Sequence, residues 1–251
     1  MSNQAINNAR FSAEALEWDS NKKHVESTTN ALEAIKRYVP AFKEGRNKDL
    51  DVLEIGCGTG LLSFMLAPHV RSLIGVDTAD GMISAFNLKL ANLPTEHPNL
   101  CSVNHFLTNP DAHELQSAAA LLATHRGEEV KPPYEYRFDL VVSHLTLHHI
   151  PSMPEILATM HKCLRHGGVV ALTDYEDFGP EAVPFHPVSK RAGVERHGIK
   201  KQEIEDMLLG TGFNEVRVEE AFVLSKEVEA EHGKPAREMD FPFLICFGVK
   251  S

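Results

Sequence analysis

The chain has 251 residues, enough for one large α/β domain with a sizeable core and too few for two. A 43% hydrophobic and 24% charged composition with no apolar run long enough to span a bilayer excludes a membrane protein. The formal charge of −10 works against any partner held by neutralising its phosphates, so no nucleic acid is expected.

Residues 1–4 are polar and lack the basic and apolar halves of a secretory signal, which makes the cytoplasm the expected compartment. Residues 13–18 read as a short helix. Residues 25–39 read as a longer one, with Val25, Ala31, Leu32, Ile35 and Val39 at helical spacing and Pro40 to end it. After a polar turn, residues 51–55 form a β-type run that stops at a glycine cluster, and residues 61–66 resume as helix. The alternation continues with strands at 72–76, 100–107, 138–143 and 169–173 and helices at 81–91 and 154–164. Such alternation predicts a parallel sheet covered on both faces.

A loop rich in Pro, His and Gly (179–198) and a helix (200–209) come next, followed by β-type runs at 215–224 and 241–249. The last of these is expected to insert antiparallel between its predecessors. Two segments interrupt the pattern. Residues 111–136 read as a decorated crossover, with an alanine-rich helical piece (115–123) and a polar, proline-bearing loop (126–133). Residues 227–240 read as an exposed, mobile hairpin connection. Cys57, Cys101, Cys163 and Cys246 are far apart without a Cys-x-x-Cys pair and read as reduced packing residues. Nothing marks a second domain.

The run Val52-Leu53-Glu54-Ile55-Gly56-Cys57-Gly58-Thr59-Gly60 puts glycines at alternate positions in the first strand-to-helix turn, where the backbone can approach a ligand with no Cβ in the way. A dinucleotide site of the Gly-x-Gly-x-x-Gly type would need its last glycine at Leu61, so a nicotinamide fits worse. Glu54 at the strand end suits a ligand with an amino group and a sulfonium and repels a pyrophosphate. The next strand, Leu73-Ile74-Gly75-Val76-Asp77, ends in an acid near the spacing of a ribose-binding carboxylate.

On these motifs the chain resembles the class I S-adenosylmethionine-dependent methyltransferases, in particular their small-molecule, ubiquinone-biosynthesis-like branch. Phe138-Asp139-Leu140-Val141-Val142-Ser143, the Leu147-His148-His149 step and Leu164-Arg165-His166-Gly167-Gly168-Val169-Val170 extend the likeness, which is strong over residues 50–175. It implies an α/β fold with a Rossmann-like, seven-stranded, mostly parallel sheet, an antiparallel last strand and helices on both faces. It implies one methyltransferase domain over residues 1–251, with an N-terminal helical lid (1–45) that includes Trp18, and an acceptor-pocket loop (178–198).

Carried over residue by residue, the resemblance implies that Glu54, Gly56, Cys57, Gly58, Thr59 and Gly60 surround the methionyl part of S-adenosylmethionine. Asp77 holds the ribose, and Thr78 and Met82 lie beside ribose or adenine. Asn109 or Asp111, with Ala112, takes the adenine, and Ser143 and His144 sit next to the methionyl group. His148, His144 and Asp174 are the catalytic candidates. Trp18, His148, Tyr175, Phe185, His186 and His197 are expected at the acceptor.

Methyl transfer from a sulfonium is an in-line displacement with a neutral thioether leaving group, so no metal is expected, and His144, His148 and His149 have no carboxylate at ligand spacing. Positioning supplies most of the rate, and a general base helps a hydroxyl, thiol or protonated amine. The expected activity is methyl transfer to O, N or S of a small molecule by a monomer or homodimer, with S-adenosylhomocysteine as the other product. The alternatives are a protein or RNA methyltransferase, disfavoured by the acidic balance and the missing Asn/Asp-Pro-Pro-aromatic step, and a non-catalytic cofactor-binding partner subunit.

Overall fold

The computed structural model describes residues 2–93, 98–130, 132, 135–231 and 233–251. Strands β1 (Asp51–Ile55), β2 (Ser72–Asp77), β3 (Leu100–Asn104), β4 (Phe138–His144), β5 (Leu164–Tyr175), β6 (Phe213–Val228) and β7 (Arg237–Lys250) form a seven-stranded sheet in the order β3-β2-β1-β4-β5-β7-β6. The first five pair in parallel, and β7 runs antiparallel between β5 and β6 as expected.

Alternate residues of each strand serve opposite layers. Val52, Leu140, Val142 and Ala171 pack with Ile35 of helix α2 (Lys22–Tyr38), Leu62 and Leu66 of α4 (Leu61–Leu66; the short α3, Pro40–Lys43, precedes it) and Phe86 of α5 (Asp80–Ala91). Leu53, Val141, Val170 and Leu172 pack with Leu115 of α6 (His113–His125), Leu157 of α7 (Met153–Cys163) and Ile204 of α8 (Lys201–Thr211). This double burial explains why β1 is buried at all five positions and carries Val52, Leu53 and Ile55 beside the two acids Asp51 and Glu54.

Helix α1 (Asn3–Glu14) differs from the expected short helix at 13–18. It is polar, with Ser2 as its N-cap, and amphipathic burial on the core does not specify it. Residues 1–45 also divide in two: Ala31, Ala34, Ile35 and Val39 belong to the core, which leaves only the segment before them free to cover a site. The hairpin of β6 and β7 is longer than expected. Its charged ends pair as far as Val228 with Arg237, and Val228, Phe241 and Phe243 pack against Phe185 and Tyr175. This apolar cluster holds the 178–198 segment against the carboxyl end of the sheet. Residues 131 and 133 of the expected 126–133 loop lie outside the described residues.

At the opposite, amino end of the strands an ion network ties β1, β2, β4 and β5 together. Asp51 accepts from Arg71 Nε (2.9 Å), Ser72 Oγ (2.6 Å) and Arg165 (2.8 Å), and Asp139 accepts from Arg165 (2.7 Å) and from the Asp51 N–H (2.8 Å). Burial alone would raise the Asp51 carboxyl, but these donors outweigh it and hold it below the ordinary carboxylate value. The stabilisation is therefore complete above the ordinary Asp range and is lost as pH falls through the lowered value. Asp51→Ala is expected to cost about 2–3 kcal/mol in urea denaturation, with cofactor affinity unchanged because the network is remote from the ligand cleft.

Candidate active site

In this strand order β1 is flanked by β2 and β4, so successive crossovers leave in opposite directions and open a crevice at the carboxyl ends of β1 and β4. A single cavity of about 670 Å³ occupies that crevice and continues toward the 178–198 segment. It falls in the size range of ligand clefts, about 300–1,000 Å³.

One half of the cavity is built by the glycine turn and the end of β2. The Gly56 and Cys57 N–H groups donate to the Val76 carbonyl (2.8 and 3.1 Å), which docks the turn on β2. The Gly58 N–H donates to Asp77 Oδ2 (2.8 Å) and the Ala79 N–H to Oδ1 (2.9 Å), so the acid is fixed before any ligand arrives. Burial pushes the Asp77 carboxyl up, against these backbone donors. Glu54 is buried and accepts from Ser63 Oγ. Burial, reinforced by Asp77, pushes its carboxyl up to about 8.

Gly56, Gly58 and Gly60 all have positive φ, but their surroundings differ. A Cβ on Gly56 would meet Thr146 at 2.2 Å and one on Gly60 would meet Phe86 at 2.5 Å, so both are required by packing. A Cβ on Gly58 would meet only Met82 Sδ at 3.8 Å. The open space there belongs to the cavity.

Helix α1 and the turn after it form the roof. Gln4 donates to Thr78 Oγ1 (3.0 Å), Asn8 to the Thr78 carbonyl (3.1 Å) and Asn7 to the Gly193 carbonyl (2.8 Å), while Arg10 reaches the Lys190 carbonyl. Thr59 Oγ1 donates to Asp19 Oδ1 (2.5 Å), and Lys89 pairs with the same carboxylate. One segment thus spans the β2 side and the 178–198 side of the cleft. Phe11 and Trp18 pack edge to face beneath it, against Met82.

The other half is histidine-rich. β4 ends at His144, and Leu145 takes φ of 53°, a strained turn for a non-glycine residue at the mouth of the cleft. His144 has both ring nitrogens engaged, by Thr173 Oγ1 (2.8 Å) and Ser27 Oγ (3.4 Å), and burial pulls it down to about 4. It is a neutral wall residue, not the proton acceptor expected of it. His148 stands on the 3-10 turn Leu147–His149 with Nδ1 at 2.8 and 3.0 Å from the two oxygens of Asp174, and its own backbone N–H donates to Asp174 Oδ2 (3.1 Å). Both side chains are buried. The carboxylate fixes the proton on Nδ1 and leaves the lone pair on Nε2, which has no hydrogen-bond partner among the described residues. Burial drives His149 far below the usual histidine range and His186 down to about 2.

Several residues expected at the ligands lie off the cavity wall. β3 stops at Asn104, not at residue 107, so the segment entering the cleft is 105–108, and His105, Phe106, Leu107 and Thr108 line it. Asn109, Asp111 and Ala112 come after that turn: Asn109 caps Asp111 N–H (3.0 Å), Asp111 is exposed and pairs with Arg137 (2.8 Å), and Ala112 packs on the core. Ser143 points opposite to His144 and donates to the Ile55 carbonyl (2.7 Å). Gly60 faces Phe86 and Phe64. Tyr175 is wholly buried, stacked on Phe185 at 4.0 Å, with its hydroxyl 3.3 Å from His186 Nδ1. His197 stands behind His186, with ring centroids 6.5 Å apart. Asp174 stands behind His148 and is not itself at the wall.

Glu54, Gly56, Cys57, Gly58, Thr59, Asp77, Thr78, Met82, Trp18, His144, His148, Phe185 and His186 do line the cavity. Sequence reasoning missed Phe11, Asp19, His149 as a wall residue, and Lys226. Of these, Asp19 stood beside Trp18 and His149 stood in the recognised Leu147-His148-His149 step, whereas Phe11 and Lys226 stood in no recognised signal. Lys226, pulled down to about 8 by burial, shares the acceptor side of the cavity with Arg10 and Lys190.

The family model described as "Methyltransferase domain" matches residues 24–218. An uncharacterized methyltransferase of Schizosaccharomyces pombe is 25% identical over 226 residues, 82% of this chain and 74% of that protein. A ubiquinone biosynthesis O-methyltransferase of Psychrobacter cryohalolentis is 32% identical over 122 residues (49% of this chain, 39% of that protein). A phosphoethanolamine N-methyltransferase of Triticum aestivum is 25% identical over 224 residues, 85% of this chain but only 38% of that protein. Apart from the yeast protein, then, this chain spans well under half of these relatives. The structure of magnesium protoporphyrin IX methyltransferase from Synechocystis PCC 6803 with bound S-adenosylhomocysteine superposes with a TM-score of 0.63 at 14% identity, covering all of both chains, and shares the fold.

Proposed function

Because the chain belongs to the methyltransferase-domain family and is an S-adenosylmethionine-dependent enzyme, we propose that it moves the cofactor's methyl group to an oxygen, nitrogen or sulfur of a small molecule, releasing S-adenosylhomocysteine. The observation that carries this reading is that one cavity joins the crevice at Gly58 and Asp77 to the His148–Asp174 pair.

S-adenosylmethionine supplies an electrophilic methyl on a sulfonium whose departure as a thioether needs no acid. Its fit rests on charge and shape: two acids, the buried Glu54 and the half-buried Asp77, suit a ligand with an ammonium and a sulfonium, and the open face of Gly58 admits it. Asp77 accepts from the ribose hydroxyls, residues 105–108 flank the adenine, and the α1 segment acts as the lid that excludes water. His148, oriented by Asp174, takes the proton of the acceptor at Nε2. Phe11, Trp18, Phe185 and His186 shape the acceptor end, where Arg10, Lys190 and Lys226 favour an acceptor carrying negative charge. Among the described residues no helix is long and apolar enough to cross a membrane. We place the enzyme in the cytoplasm as a monomer or homodimer without a nucleic-acid partner.

Glu54 couples cofactor binding to protons. In the free protein its carboxyl, raised to about 8, is protonated at neutral pH, whereas the cofactor's cationic methionyl end favours the ionised form. Binding at pH 7 is expected to release a proton, and affinity should strengthen as pH rises from about 6 to 7.5. Calorimetry in buffers of different ionisation enthalpy reads this directly. A Glu54→Gln variant should lose the dependence, and proton-neutral binding by the wild type would contradict it.

Methyl-labelled cofactor incubated with the protein and a metabolite extract tests the function. Label in a low-molecular-weight product supports it; label confined to protein or RNA, or no transfer at all, contradicts it.

A further inference from the structure

We propose that His148, His149 and His186 form a three-histidine site for a divalent transition-metal ion of the zinc class, open toward the acceptor end of the cavity. One ring nitrogen from each lies within 4.8 Å of the others. The ring centroids of His148 and His149 are 4.0 Å apart, and His186 stands 5.1 and 5.7 Å from them. Two of the nitrogens, His148 Nε2 and His149 Nδ1, are buried without a hydrogen-bond partner among the described residues, a state that buried polar atoms seldom keep unless a water or an ion satisfies them.

The surroundings are those of a ligand set. Asp174 holds Nδ1 of His148 at 2.8 Å and directs Nε2 inward, the carboxylate–histidine arrangement that orients metal ligands. The Tyr175 hydroxyl, 3.3 Å from His186 Nδ1, serves that ring in the same way and leaves its Nε2 free. Zinc bound by imidazoles at about 2.0–2.1 Å needs ligand nitrogens about 3.3 Å apart. The three nitrogens stand within 4.8 Å of one another, so ion binding requires His186, which stands outside regular structure after the turn Pro180–Phe185, to move toward the other two. Three neutral nitrogens select zinc, cobalt, nickel or copper over magnesium or calcium.

Sequence spacing did not reveal the site, because His186 is supplied by a distant segment and the carboxylate stands behind a ligand instead of being one. His144, grouped with these histidines on spacing alone, is excluded because both its nitrogens are taken. An ion and a proton exclude one another at His148 Nε2. Binding of the ion itself does not depend on the methyl-transfer reading.

The test uses the full chain, stripped with a chelator and titrated with Co(II). One equivalent should bind with the visible bands of four-coordinate cobalt, and Zn(II) should displace it. His149→Ala and His186→Ala should lose those bands, and Asp174→Asn should weaken binding about 10–100-fold. The far-ultraviolet circular dichroism spectra of the two metal-free histidine variants should match the wild type, which separates loss of the site from loss of the fold. Wild-type protein that gives no cobalt bands, or histidine variants that bind cobalt as the wild type does, overturns the proposal whether or not the cofactor binds.

Discussion

Gly58→Val is expected to weaken S-adenosylmethionine binding at least about 100-fold, close to 3 kcal/mol, while the protein still folds. The reason is the asymmetry among the three glycines. A side chain at Gly56 or Gly60 would strike Thr146 or Phe86 and disturb the fold itself, whereas at Gly58 the first protein atom is Met82 Sδ, 3.8 Å away. A branched side chain there enters ligand space. Its φ of 53° adds backbone strain of about 1–2 kcal/mol, so the thermal midpoint should fall modestly. Gly58→Ala carries the same strain with less intrusion and separates the two effects. Calorimetry on both variants decides: equal and near-native affinities would mean that the open space is not where the cofactor lies.

His148→Ala is expected to lower kcat by about 10²- to 10⁴-fold, the usual contribution of a positioned base, with no change in cofactor affinity. Asp174→Asn should lower kcat in the same direction but by less, because it leaves the imidazole in place and disturbs only its tautomer and orientation. His144→Asn should have little effect by comparison, since both nitrogens of His144 are engaged within the fold. Single-turnover measurements with saturating cofactor check all three. If His148→Ala matched the wild type, the dyad would have no part in accepting the proton.

The sheet was legible because its signals are local: apolar runs buried on both faces, glycines at the first turn, and an acid at the end of β2. The placing of Glu54 to Thr59 and Asp77 together at one end of the cavity was legible for the same reason, since a turn and its neighbouring strand end leave little freedom in where they point. What failed was direction. Ser143 and His144 are adjacent, yet the pleat sends one to the β1 carbonyl and the other to the cleft. Asn109 and Asp111 were misplaced because β3 ends three residues earlier than its apolar run suggests, which carries 105–108 into the cleft instead. Tyr175 and His197 belong to the right segments but sit one layer behind the wall. The roof was the least legible part, because α1 is specified by polar bonds to Thr78, Gly193 and Lys190, partners far from it in sequence.

The crystal structure of this chain grown with S-adenosylhomocysteine tests the central claim most directly. The account predicts ribose hydroxyls within hydrogen-bonding distance of the Asp77 carboxylate and the homocysteine portion passing over Gly58 toward His148. Density for the ligand elsewhere on the molecule, or a nicotinamide dinucleotide bound preferentially in that crevice, would contradict it.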